Sequence, residues 1–279
     1  MAIVTLKSLL KDAEEKNIGY GAFSIGNMEM IKGTIKAAEE LNIPIILQIA
    51  EIRLKYSPLE LIAPMMVQAA KEANVDVVVH LDHGLNIKTI ERALEFGFTS
   101  VMFDGSNLDF NENISKVKEV VEKAKKYGAS VEAELGVVGG SEDGSCDHKM
   151  VYTNPKDAKI FCEATNIDAL AVAIGNSHGN YFKSPKLNFE VLKEINNIVD
   201  VPLVLHGGSG ISDIDFKKCI SYGIRKLNIA TSSFDSLTKE VKNYIFNNKN
   251  HNYFDINIAM ELGTYNNVKN HIKIFSLNY

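Results

Sequence analysis

The stretch VDVVVHLDHG, residues 75–84, decides how the chain is read. Its valines are β-branched and apolar on both parities. That suits a strand covered on both faces, as in a parallel sheet. The run then breaks, without a linker, into Leu81-Asp82-His83-Gly84, so reactive side chains stand at the strand's C-terminal end. The same form recurs twice. DALAVAI (168–174) runs into Gly175-Asn176-Ser177-His178-Gly179, and VPLVL (201–205) into His206-Gly207-Gly208-Ser209-Gly210.

Working outward, eight candidate strands appear at 19–24, 44–49, 76–81, 100–103, 130–134, 169–174, 202–205 and 226–229. Amphipathic stretches with apolar residues every three to four positions lie between them, at 28–41, 59–74, 87–96, 111–127, 155–165, 189–196, 213–222 and 234–246. Several begin after capping residues, such as Ser57-Pro58 and Ser212-Asp213. Residues 6–16 predict an extra helix that closes the barrel bottom. Eight β/α units in 279 residues predict an α/β fold: a (β/α)8 TIM barrel, one domain over 1–279. A doubly wound open sheet is the alternative. Residues 135–154 are the least regular and glycine-rich, a candidate mobile loop. The tail from 247 to 279 is Asn-rich, then helix-like.

Apolar residues make up 46% and charged residues 23%, enough for a sizeable core. Thirty basic against thirty-five acidic side chains give a net charge of −5, so no nucleic-acid partner is expected. The apolar runs are too short to span a bilayer, and the first residues do not read as a signal peptide. Cys146, Cys162 and Cys219 show no CxxC pair. No disulfide framework is expected, and a reducing cytoplasm fits.

In a barrel the reacting groups gather at the C-terminal strand ends. His83, His178 and His206 follow three different strands, each with a glycine beside it. Any one of them alone is explicable as a strand cap. Together they suggest a zinc site with three protein ligands and an open position. His80 is expected to point inward beneath this site in a structural role, while His148, His251 and His271 read as surface residues. Asp82 reads as an acid or base, or as a buried carboxylate that orients a histidine. Glu134, at a strand end, is a fourth or alternative metal ligand. Glu142 is either a general base that arrives when its loop closes or a solvated charge. The turn at 206–210, opening a helix, suits a phosphate, with hydroxyls supplied after strand eight.

LDHG (81–84), EAELG (132–136), GGSEDG (139–144), HG (178–179), LHGGSG (205–210) and NIAT (228–231) resemble, in order and spacing, the class II (metal-dependent) fructose-bisphosphate and tagatose-bisphosphate aldolases. The resemblance covers nearly the whole chain. It implies a carbohydrate-metabolic lyase, as in glycolysis, with a zinc ion and dihydroxyacetone phosphate as the nucleophilic half. It also implies a phosphorylated sugar substrate and assembly as a homodimer or homotetramer. Carried over by residue, it implies His83, His178 and His206 as zinc ligands, with Glu134 near the metal and Asp104 at an alternative metal position. Asp82 and Glu142 are implied in proton transfer, and Asn228 in steadying the enediolate. Gly179, Gly207, Gly208, Ser209, Ala230 and Thr231 are implied as the cradle for the 1-phosphate and a monovalent cation.

Three positions depart from the family pattern. Ser24 stands where it usually has Asn, and Ala50 where a serine contacts substrate. No arginine follows Arg225 to meet a distal phosphate; Arg53 reads either as a substitute or as a surface charge. No strand-end lysine suggests a Schiff base. The competing readings are a catalytically silent assembly partner of an aldolase and a phosphosugar isomerase or epimerase.

Overall fold

The structure is a computed structural model that describes residues 3–140, 149–179 and 185–277. Eight parallel strands close a barrel in chain order: β1 (Tyr20–Ser24), β2 (Ile45–Ala50), β3 (Val77–Gly84), β4 (Ser100–Phe103), β5 (Ser130–Leu135), β6 (Ala169–Val172), β7 (Leu203–Leu205) and β8 (Ile224–Ile229). β8 returns to β1 with Ala22 opposite Asn228. The open-sheet alternative is thereby excluded. The helices are α1 (Leu6–Lys16), α2 (Met28–Leu41), α3 (Leu59–Glu72), α4 (Ile87–Glu95), α5 (Phe110–Lys125), α6 (Pro155–Thr165), α7 (Phe189–Asn196), α8 (Asp213–Ser221), α9 (Thr231–Asn247) and α10 (Tyr253–Phe275). No helix among the described residues is long and apolar enough to cross a membrane.

Successive strand side chains point to opposite faces, so each apolar run feeds two cores. Outward residues such as Leu47, Val79, Val131 and Leu205 pack under the helices. Inward residues divide by height. The lower barrel holds Tyr20, Ala22, Ile46, Val78, Ala169, Ala171 and Val204, closed by Leu6, Leu9, Leu10 and Ala13 of α1. The upper barrel is polar but fully buried, with Gln48, His80, Asp82, Glu132, His206 and Lys226 all at 0% exposure. Apolar floor and polar mouth set where chemistry can occur.

Two register shifts matter. Between Leu81 and Gly84, β3 spends one more residue than β4, which pairs Val101 and Phe103 opposite them. This bulge puts His83 at φ 42°, a left-handed conformation that costs energy in a non-glycine residue. A bulge re-aims a side chain; here it lets the adjacent Asp82 and His83 serve one site. The second shift lies in β8 at Arg225, between Ile224 and Lys226.

Most helices start where a short polar side chain caps them, although α3, α5 and α9 do not, and Ser57, expected to cap α3, instead donates its hydroxyl to the Gly26 carbonyl. Asn27 accepts from Met30 N at 2.9 Å, and Ser212 from Asp215 N at 3.2 Å. α9 begins three residues earlier than its periodicity predicts, and the tail forms the 23-residue α10. One surface assignment is corrected. His271 is tucked among Phe23, Phe216 and Phe275, with ring centroids 5.6–6.1 Å away, and its Nδ1 lies 2.8 Å from the Asn267 carbonyl. Burial lowers its pKa.

Candidate active site

His83, His178 and His206 converge at the barrel mouth. Ring centroids are 4.6 Å apart for His83 and His206, 4.9 Å for His83 and His178, and 6.0 Å for His178 and His206. Among the described residues they form one of three groups whose ligand atoms lie close enough to share an ion. The others are His83–Asp104–Glu134 and His80–Asp82–Glu132. A cavity of about 180 Å³ opens beside His83, Asp104, Glu134, Gly140 and His178. A larger one, about 490 Å³, lies at the opposite end around Thr5, Ser130 and Asp168. The smaller is the relevant one, because barrel chemistry sits at the C-terminal face and His83 and His178 line it.

The hydrogen bonds fix which nitrogen each ring presents. Asp104 Oδ2 lies 2.7 Å from His83 Nδ1, and Glu132 Oε1 lies 2.8 Å from His206 Nε2. A carboxylate only accepts, so those two nitrogens carry protons. Each ring's other nitrogen, His83 Nε2 and His206 Nδ1, then offers a lone pair, and the two face each other at 2.8 Å. Two lone pairs at that distance repel unless a cation or a proton lies between them. Glu134 Oε2 is buried, has no hydrogen-bond partner among the described residues, and lies 3.6 Å from His206 Nδ1. This donor set of imidazole nitrogens and carboxylate fits a divalent metal such as zinc.

The charge states agree. Burial opposes charging His83, but Asp82, the hydrogen bond to Asp104 and the nearby Glu134 outweigh it and hold the ring well above its ordinary range. Burial, reinforced by Asp104, pushes Glu134 up to about 8. Burial and the charge on His83 hold His206 well below its ordinary value. Asp104 is itself buried, yet its bonds to His83 and Ser106 pull it far down. In the protein alone, then, protons on His83 and Glu134 stand where positive charge is wanted.

Asp82 sits beside the histidines, fully buried and doubly held. Gln48 Nε2 donates to its Oδ2 at 3.1 Å and Asn228 Nδ2 to its Oδ1 at 3.0 Å. Gln48 Nε2 also reaches Ser24 Oγ at 3.3 Å, so the departure at Ser24 falls within this network. Ala50 lies opposite Asp82 across β2 and β3.

On the other side, the glycine turn packs closely. A Cβ on Gly207 (φ 63°) would meet Ser177 O at 2.2 Å, and one on Gly208 would meet Asn228 O at 2.7 Å. Ser209 Oγ accepts from Ser232 N at 3.0 Å, tying this turn to the start of α9. Ala230, the residue before α9, has no side chain to cap it, so the positive end of the helix, beside Ser209, faces the mouth without a carboxylate or amide of its own. Gly179 (φ 82°) meets none of the described residues within 4 Å of where a side chain would project. Glu142 and His148 lie outside the described residues.

Three residues escaped the sequence reading: Gln48, Glu132 and Lys226. Each is an inward polar residue inside an apolar run. The signal was parity, since Glu132 precedes Glu134 by two, and Lys226 precedes Asn228 by two. A lysine does enter the barrel, but its ammonium lies 2.9 Å from Glu132 Oε2.

A closed parallel barrel with imidazoles and carboxylates gathered at its C-terminal mouth defines a barrel enzyme with a candidate metal centre. The family model for class II fructose-bisphosphate aldolase matches residues 4–278. A fructose-bisphosphate aldolase of Staphylococcus aureus is 40% identical over 252 residues, 89% of this chain and 88% of that one. One from Staphylococcus epidermidis is 38% identical over the same shares. The crystal structure of the YdjI aldolase from Escherichia coli K12 superposes with a TM-score of 0.87 at 37% identity, covering 98% of this chain and 97% of that one. The chain belongs to the class II fructose-bisphosphate aldolase family, and it is a lyase.

Proposed function

We propose that this protein reversibly cleaves a ketose 1,6-bisphosphate or ketose 1-phosphate, of fructose or tagatose type, into dihydroxyacetone phosphate and an aldehyde. The whole chain acts as one catalytic domain. The observation that carries this reading is the pair of imidazole nitrogens, His83 Nε2 and His206 Nδ1, facing each other at 2.8 Å beside a buried Glu134 oxygen with no hydrogen-bond partner among the described residues. His83, His178 and His206 would hold a zinc ion, with Glu134 and Asp104 as further or alternative ligands. Bound there, the metal supplies Lewis-acid stabilisation for the charge that develops on the ketose oxygens.

Asp82, aimed by Gln48 and Asn228, takes the proton from the hydroxyl on the departing carbon. The carbon–carbon bond then breaks, its electron pair passing to the ketose carbonyl. Asn228 lies beside Asp82, where its amide steadies the enediolate. Glu142, on the glycine-rich loop, gives the dihydroxyacetone carbon a proton that it replaces from solvent, and Asp82 releases to solvent the proton it took, so the count balances. The turn of Gly207, Gly208 and Ser209, with Gly179, Ala230 and Thr231, receives the 1-phosphate and any accompanying monovalent cation. The substrate named for the relatives, and the intact set of proton-transfer residues, favour this over an isomerase or a silent partner.

Exhaustive chelation should abolish cleavage of ketose phosphates, and added zinc should restore it. Full turnover after verified metal removal would overturn the metal-dependent reading.

A further inference from the structure

Beneath the histidines lies a second charged pair that the reaction does not use directly. Lys226 and Glu132 are both at 0% exposure, with Nζ 2.9 Å from Oε2. Burying an ammonium and a carboxylate is expensive, and the pair is weak evidence for added stability. Its geometry shows what it does instead. Glu132 divides its oxygens: Oε2 faces Lys226, and Oε1 takes the Nε2 proton of His206 at 2.8 Å. The β8 bulge at Arg225 sets this up, because Ile224 belongs to the outer core while Lys226, two residues on, is inside.

We propose that the Lys226–Glu132 pair is a positioning device for His206. The ammonium anchors the Glu132 carboxylate, the carboxylate fixes the ring with its proton on Nε2, and Nδ1 is thereby presented to the centre shared with His83 and His178. This rests on the reading that these three histidines hold a metal. Carboxylates that hold a ligating histidine raise its basicity and fix its tautomer. The same ammonium bears on the His80–Asp82–Glu132 group, which otherwise resembles a second cation site. With Lys226 beside Glu132, a fixed internal cation already meets that group.

The test measures zinc affinity of the metal-free protein by competition with a chromophoric chelator, alongside the histidine tautomers by 15N NMR of the same metal-free protein, where no ion fixes them. Lys226→Met should weaken zinc binding by about 10–100-fold, the usual size of such outer interactions. The His206 signal, identified by its loss in His206→Gln, should show Nε2 protonated in the parent protein and a mixed state in the variant. Because Lys226→Met leaves an unpaired buried carboxylate and can fail to fold, Lys226→Met/Glu132→Gln is made in parallel. Its neutral amide still accepts from Nε2 but lacks the anchor, so zinc affinity should again fall. A folded variant of either kind with parental zinc affinity and an unchanged His206 tautomer overturns the inference. If the parent protein takes up no zinc, the metal reading fails first and this inference falls with it.

Discussion

At the residue scale the proposed metal site sets protons against an ion. His83 is held well above its ordinary pKa, against the effect of burial, by Asp82 and Asp104, and burial raises Glu134 to about 8. Both folded values exceed the unfolded ones. Each group's contribution to the metal-free fold is therefore complete below its unfolded pKa, 4.5 for Glu134 and 6.5 for His83, and is lost as pH rises through the folded value. Metal binding needs both groups without their protons, so affinity should climb over the same range. The two effects act together. The melting-temperature gap between zinc-loaded and chelator-treated protein should be wider at about pH 8.5 than at about pH 6, and zinc uptake at neutral pH should release protons. Thermal unfolding at both pH values and calorimetry in two buffers of different ionisation enthalpy measure this. A gap that narrows with rising pH would show that His83 and Glu134 are not the displaced groups.

At the scale of elements, the C-terminal tail is locked on by close helix contact. Gly33 lies in α2, where alanine would gain about 1 kcal/mol from helix propensity alone. A Cβ there would lie 2.6 Å from the Glu261 carbonyl and 3.0 Å from Thr264 Cβ, both in α10. Overpacking of this kind costs about 1–3 kcal/mol. Backbone gives less readily than a side chain, so packing should win. Gly33→Ala is expected to lower stability in denaturant unfolding, and a more stable variant would argue against this docking. Little of this was legible in sequence. The strands were, because runs such as VDVVVHL are apolar on both parities, and so were the three histidines, because each directly follows such a run. The β3 bulge depends on register with β4, which no single segment encodes. His271 looked polar and exposed because its partners Phe23 and Phe216 are distant in sequence. Glu132 and Lys226 are not legible because each lies two residues below a polar strand-end residue, Glu134 or Asn228, with apolar Ala133 or Leu227 between.

Across the whole molecule, the two ends of the proposed substrate would meet unlike surroundings. In the proposed reading the 1-phosphate end is served by the 207–210 turn and the start of α9, devices that need no positive side chain. A distal phosphate would need one, and the chain has three arginines, Arg53, Arg92 and Arg225. Arg92 is paired with Glu95 at 2.8 Å on α4, and Arg225 is bonded to Asn17 at 3.0 Å, just past the end of α1. Arg53, in the short turn after β2, stacks 4.5 Å over Phe234 of α9, bridging elements on the mouth side. It is the one arginine among the described residues placed to serve the aldehyde half. A charged hydrogen bond contributes about 1.5–3 kcal/mol, roughly 10–150-fold in kcat/KM. With one stacked arginine in place of a dedicated C-terminal one, the preference for fructose 1,6-bisphosphate over fructose 1-phosphate should stay at the low end, about tenfold. Arg53→Met should erase what preference there is while leaving 1-phosphate cleavage intact. Paired kcat/KM measurements on the two sugars decide it: a preference beyond about a hundredfold that survives Arg53→Met would mean that the distal phosphate is bound by other groups.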